Sequence, residues 1–160
     1  MQIDDLYQLY LEHPVVETDT RKITKDCIFF ALKGPHFNGN HFVTQALAAG
    51  AAYCVTDEDT GINDNRVLRF DNSLQTLQML AKKHRVQFSI PFIAITGSNG
   101  KTTTKELLHA VLSSCYRCYT TEGNLNNHIG IPLTILQVKS DAEIAVIEMG
   151  ANHLKEIEGY

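Results

Sequence analysis

The sequence predicts an α/β fold in two parts, residues 1–88 and 89–160. Three observations carry that prediction. Short apolar runs of strand type alternate with helix-type segments across short loops, the arrangement of a partly parallel sheet. One run, "FIAIT", is apolar throughout and leads directly into a glycine-bearing loop and a helix, as a buried parallel strand does. Between the two parts, "SIP" (Ser89–Pro91) ends a helical pattern and marks the boundary.

In the first part, "DCIFFAL" (Asp26–Leu32) reads as a strand and "KGPHFNGN" as a loop. "HFVTQALAAGA" reads as a helix with Phe42, Val43, Ala46, Leu47 and Ala49 on its apolar face and Gly50 at its C-terminal cap. "AYCVTD" and "RVLRF" are further strands, separated by turn residues from Asp57 to Asn65. "NSLQTLQMLAKKHRVQF" is a strong helix. Asn72 caps it, Gln75 completes a capping-box-like pair, and Leu74, Leu77, Leu80 and Ala81 mark one face. In the second part, a helix from about Lys101 to Ser114 follows the glycine loop, with Leu107, Leu108, Val111 and Leu112 as its apolar face. Then come the loop "TTEGNLNNHIGIP", the apolar stretch "LTILQV" and the buried strand "EIAVIEMG".

Composition narrows the function classes. Hydrophobic residues at 44% and charged residues at 20% describe a soluble globular chain. A net charge of −4 gives no footing for nucleic-acid or membrane-surface binding. No apolar run approaches a membrane span. "MQIDDLYQLY" has early acids and no basic-then-apolar pattern, so no secretory leader is expected and a cytoplasmic location is the default. Cys115 and Cys118 form C-x-x-C, but no second ligand pair has zinc spacing; with Cys27 and Cys54 they read as ordinary buried or half-buried thiols.

"TGSNGKTTT" carries the chemistry. It joins the C-terminal end of a buried strand to the start of a helix, where free backbone N–H groups and the helix dipole favour an anion. Gly97 and Gly100 let the backbone curl close to a phosphate, with Ser98 and Asn99 between them. Lys101 supplies a mobile positive charge and the Thr102 hydroxyl is placed for Mg²⁺, with Thr103 following. The first glycine of G-x-x-x-x-G-K-[ST] is missing; Ile95 stands in its place. That departure argues against a standard GTPase loop, not against phosphate binding. Glu148 ends "EIAVIE" on the same sheet edge, where an acid can hold the Mg²⁺ that bridges phosphates. His153 is a second candidate metal ligand or simply the start of a helix.

Taken together, "TGSNGKTTT", "GNLNNHIGIP" and "VIEMGANH" resemble the Mur ligases, the ATP-dependent amide-forming enzymes of peptidoglycan synthesis. "TDTRKI", "CIFFALKG" and "FNGNHFVTQALAAGA" are similar to the UDP-binding N-terminal domain of that family. Within it, the asparagine loop and "EMGANH" look most like the branch that adds D-alanyl-D-alanine to UDP-N-acetylmuramoyl-tripeptide. The resemblance implies a small UDP-binding α/β domain followed by the first part of a P-loop parallel-sheet ATPase domain. It implies ATP on Gly97 to Thr103, Lys101 and Glu148 as catalytic groups, and Mg²⁺ on Thr102, Glu148 and His153. It places Asn124, Asn126 and Asn127 against the nucleotide-sugar substrate. It places Thr20, Arg21, Lys33, Gly34, Asn38, Gly39 and His41 near the UDP, although the family pattern often has Asp at the position of Asn38.

Family members are several times longer, so the resemblance implies an N-terminal fragment that does not ligate alone and a full-length monomer. Two other readings stay open: a different Mur ligase, such as the enzyme adding the third peptide residue, and a non-catalytic nucleotide-sugar binding module. A GTPase-like switch is disfavoured, since no N-K-x-D guanine motif is present.

Overall fold

The computed structural model describes residues 1–151 and 156–159. It is α/β with parallel sheets, in two compact units, Met1–Lys83 and His84–Tyr160.

The N-terminal unit opens with α1 (Ile3–Glu12), an addition to the predicted elements. The Gln2 amide donates to the Asp5 carboxylate at 2.9 Å, and acids in the first turn suit the positive helix end. Leu6, Tyr7 and Tyr10 form its buried stripe. Next come β1 (Val16–Glu17), a 3₁₀ turn at Thr20–Lys22 and β2 (Ile28–Phe30). "KGPHFNGN", predicted as a loop, is instead an antiparallel hairpin of β3 (Lys33–Gly34) and β4 (Phe37–Asn38) around Pro35 and His36. A 3₁₀ turn at Gly39–Phe42 leads into α2 (Val43–Ala48), β5 (Tyr53–Thr56), β6 (Val67–Arg69) and α3 (Ser73–Arg85). Gly50, just past α2, has φ 108°, the left-handed conformation expected of a glycine cap. Asn72 caps α3 by accepting from the Gln75 amide at 2.8 Å.

Strands β1, β2, β5 and β6 form one sheet in that order, parallel at every pairing. Cys27, Phe29, Ala31, Val43, Ala46, Ala51 and Cys54 pack one core cluster. Burial raises the Cys27 thiol pKa and pushes that of Cys54 up to about 12, so both are inert packing groups, as predicted.

The C-terminal unit contains β7 (Phe92–Ile95), α4 (Lys101–Leu112), β8 (Cys118–Thr120), α5 (Gly130–Gln137), β9 (Ile144–Glu148) and α6 (Glu156–Gly159). The sheet order is β7-β9-β8, all parallel. Three expectations change here. First, β7 is parallel but not buried: it lies at the sheet edge and Ala94 is exposed, while the central β9 is buried along its whole length. Second, the predicted apolar face of α4 divides. Leu108 and Leu112 are half-buried with the fully buried Lys105, whereas Leu107 and Val111 are 66% and 68% exposed. Third, Cys115 is exposed rather than buried or half-buried, while Cys118, the first residue of β8, is half-buried as expected. "LTILQV" resolves as most of α5, which the Asn127 side chain opens by accepting from the Ile129 and Gly130 amides. Ile131, Val138, Ala142, Ala145 and Ile147 form the core of this unit, with Phe88, Ile90, Phe92 and Tyr119 packed against it.

Candidate functional site

The site is built on the backbone of β7 and β9. Ile95 and Glu148 are paired in the parallel ladder, and the Met149 amide donates to the Ile95 carbonyl at 2.8 Å. This explains the missing first glycine. At Ile95 the chain is still a strand held by β9, so the loop begins one residue later and runs only from Thr96 to Gly100. Gly97 (φ 148°) and Gly100 (φ 76°) take backbone conformations that a side chain would strain. Gly100 then starts α4, whose first amides, from Lys101 to Thr103, lack intrahelical partners and carry the positive end of the helix dipole. The Lys101 ammonium donates to the Gly97 carbonyl at 2.7 Å, closing the loop into a ring and leaving two N–H donors for an anion. Ser98, Asn99, Thr102 and Thr103 are exposed around this ring.

Glu148, at the end of β9, is 1% exposed. Its Oε1 accepts from Asn126 Nδ2 at 2.8 Å, while Oε2 is buried with no hydrogen-bond partner. A carboxylate oxygen left in that state is suited to a cation. Asn126 is fixed in turn, because its carbonyl accepts from the Gly150 amide at 2.7 Å. The three predicted asparagines therefore separate. Asn126 orients the acid, Asn127 caps α5, and Asn124 is exposed with its carbonyl accepting from the Asn126 amide. Among the described residues no three His, Cys, Asp or Glu side chains converge on a metal site. His153 lies outside the described residues.

Two residues of this site were not predicted from the sequence. Lys105, 1% exposed, donates to the Thr121 carbonyl at 2.6 Å and pairs with Glu106 Oε1 at 2.8 Å. Thr121, fully buried, accepts the Glu148 amide on its Oγ1 at 2.9 Å. The available signal was spacing: Lys105 follows Lys101 by one helical turn, on the stripe that contains Leu108 and Leu112.

In the N-terminal unit, Lys33 and Asn38 of the predicted UDP-side residues share Glu58 as a partner. Lys33 Nζ bridges Asp57 Oδ1 (3.1 Å) and Glu58 Oε1 (2.9 Å). Asn38 Nδ2 donates to Glu58 Oε2, and the buried Asn40 donates to both Asn38 and Asp57. Burial pushes the Asp57 carboxyl upward, but bonds from Asn40, Lys33 and the Ser73 amide outweigh it and hold the net value low. Gly39 passes against the Leu32 carbonyl, and a Cβ there would lie 2.6 Å from it. Arg21, beside Thr20, grips Asp19 through Nε and Nη2, and this holds the Asp19 carboxyl at about 2. Gly34 sits in the hairpin and His41 is exposed.

Comparison with known proteins follows the same division. Residues 14–85 match the Mur ligase family, catalytic domain, and residues 95–160 match the Mur ligase middle domain. The UDP-N-acetylmuramoyl-tripeptide–D-alanyl-D-alanine ligase of Bacillus subtilis is 46% identical over 145 residues, covering 89% of this chain and 32% of the relative. The Escherichia coli enzyme of the same name is 43% identical over 142 residues, covering 89% of this chain and 31% of its own length. The chain thus spans about a third of the length of these relatives. The crystal structure of the MurF ligase of Thermotoga maritima in complex with ADP superposes with a TM-score of 0.82 at 34% identity, over 92% of this chain and 34% of that one. A MurF structure from Acinetobacter baumannii gives the same TM-score at 36% identity, over 89% of this chain and 32% of that one. With both segments matched in order, and the shortened loop and Glu148 side by side on one sheet, the chain belongs to the Mur ligase family.

Proposed function

We propose that this chain supplies the phosphate-binding and UDP-binding parts of an ATP-dependent ligase that joins D-alanyl-D-alanine to UDP-N-acetylmuramoyl-tripeptide in the cytoplasm. The observation that supports this most is the pairing of the phosphate loop with Glu148 across one ladder step, Ile95 opposite Glu148. The peptide carboxylate attacks the γ-phosphorus of ATP and ADP leaves. The amine of D-alanyl-D-alanine then attacks the acyl carbon, inorganic phosphate departs, and the amine loses its proton to a base. In this scheme Lys101 and the free amides of α4 hold the phosphate oxygens and neutralise charge developing on the transferring group. Asn126 keeps the Glu148 carboxylate in one orientation. Mg²⁺ fits the residues present, since Glu148 Oε2 is buried without a partner and Thr102 is exposed in the first turn of α4. Glu148 and Thr102 would hold such an ion, which would supply charge neutralisation during phosphoryl transfer.

In this proposal residues 1–88 carry the UDP side and residues 89–160 the start of the ATPase domain, and the full-length enzyme works as a monomer. The amine-selecting part lies outside the matched segments, so this chain alone binds but does not ligate. Titrating ADP with Mg²⁺ and UDP-N-acetylmuramoyl-tripeptide separately, alongside a phosphate-release assay with all substrates, tests the proposal. Absence of ADP binding would remove the nucleotide role. Multiple turnovers by the 160-residue chain would remove the claim that it is a partial enzyme.

A further inference from the structure

We infer that Lys105 is a positioning residue, which fixes the metal-binding acid Glu148 relative to the phosphate loop by way of Thr121. The inference rests on the nucleotide-binding role proposed above. A lysine with 1% exposure is unusual, because removing an ammonium from water is strongly unfavourable unless it is paired. Lys105 is paired on both sides. Glu106 meets it from the solvent side, and the Thr121 carbonyl meets it from inside at 2.6 Å.

The placement of those partners gives the lysine its role. Lys105 lies one turn beyond Lys101 on the helix that carries the phosphate loop. Thr121 is the first residue after β8, and its amide donates to the Val146 carbonyl of β9 at 3.1 Å. Its hydroxyl receives the Glu148 amide at 2.9 Å. Glu148 Oε1 is then held by Asn126. One continuous chain of hydrogen bonds therefore runs from the phosphate-loop helix through β8 to the end of β9 and into the asparagine loop. Within it, the Thr121 hydroxyl holds the Glu148 backbone, Asn126 holds the Glu148 side chain, and Lys105 ties the Thr121 carbonyl to α4; one turn further along α4, His109 Nε2 bonds the Cys118 carbonyl at the start of β8 at 3.3 Å. A hydrophobic residue of the same length would pack in that space but would leave the Thr121 carbonyl without its donor.

Lys105→Met and Thr121→Val break this chain at different points, and neither alters a group that touches nucleotide. Two measurements on the 160-residue chain test the inference. In the first, ADP binding is measured without metal and with Mn²⁺, the free ion being followed by its electron paramagnetic resonance signal. Metal-free ADP affinity is expected to stay within twofold of the parent in both variants, while Mn²⁺ affinity of the ADP complex falls at least tenfold. A general packing defect would weaken both equally. In the second, which needs no nucleotide, amide hydrogen exchange at Glu148 is expected to accelerate at least tenfold in Lys105→Met while Ala94 in β7 is unchanged. Parent-like Mn²⁺ affinity in either folded variant, or unchanged exchange at Glu148, overturns the inference. If the parent chain binds no ADP, the nucleotide role fails, and the exchange result decides the positional claim by itself. Should Lys105→Met fail to fold, Thr121→Val carries the metal test.

Discussion

Replacing Gly130 with alanine pits two effects of known size against each other. Gly130 is the first residue of α5, and alanine there would gain at most about 1 kcal/mol of helix propensity. However, a Cβ at this position would lie 2.4 Å from both Cα and C of Leu125, about 1.0 Å inside ordinary contact at 3.4 Å. The obstruction is backbone, so no side chain can rotate away. Overpacking of this kind costs about 1–3 kcal/mol. The relief available is movement of the 124–127 loop, and that loop carries Asn126. A shift near 1 Å would stretch its 2.8 Å bond to Glu148 beyond hydrogen-bonding range, at a further cost of about 1 kcal/mol. The net expectation is destabilisation by about 2 kcal/mol, or a fall in melting temperature of about 8–16 °C if the C-terminal unit melts as a domain of its own size. Circular dichroism melts give the stability, and the Asn126 side-chain amide resonances report the displacement. A Gly130→Ala protein melting within 2 °C of the parent, with those resonances unmoved, would refute the reasoning.

Further outcomes concern other parts of the molecule. Burial lowers the His84 pKa, and its 2.8 Å bond to the Val138 carbonyl does not restore it. The folded state therefore binds fewer protons than the unfolded one. Stability of the C-terminal unit should be level above the ordinary histidine value of about 6.5 and decline as pH falls below it, until the lower folded value is reached. Melts between pH 7.5 and 5 should show that slope, and His84→Gln should flatten it. Gly100→Ala and Gly61→Ala place a side chain at φ 76° and φ 66° with no neighbour within 4 Å, so each should cost about 1–2 kcal/mol. Only the first should weaken ADP binding, and equal binding loss in both would argue against a local role for the loop. Leu107→Ser and Val111→Ser, on the exposed side of α4, should each change the stability of this chain by no more than about 0.5 kcal/mol in a urea titration.

The phosphate loop was legible in the sequence because its constraints are local: a strand end, two glycines, a lysine and a helix start within ten residues. The strand order of β7, β9 and β8 was not, since it depends on which non-adjacent segments pair. Helix α4 shows the limit most clearly. Leu107, Leu108, Val111 and Leu112 lie close together on a helical wheel, but periodicity does not say which edge of that patch meets the sheet. The structure puts Lys105 on the inner stripe and leaves Leu107 and Val111 outside, because the Thr121 carbonyl offers the ammonium a buried partner. Composition alone would not place a lysine inside. The asparagine loop gave a similar lesson. Its three asparagines look equivalent as turn formers, yet one caps a helix, one orients an acid and one is exposed. Only the register of the loop against Glu148 separates them. Helix α1 is hard to read from the sequence because its buried stripe is just Leu6, Tyr7 and Tyr10, beside the acids of its first turn.

The pairing of Ile95 with Glu148 also acts as a ruler. The interval between the start of the phosphate loop and the acid is set by the spacing of neighbouring strands, about 4.8 Å, which no side-chain substitution adjusts. A slip of one residue would turn the carboxyl to the opposite face of the sheet, and a slip of two would carry it about 6.6 Å along the strand. Sequence drift in β7 and β9 can therefore change how well the sheet packs, but not the gauge of the site. That gauge has only discrete settings, and mutations that alter it should abolish the proposed metal–nucleotide binding outright rather than tune it.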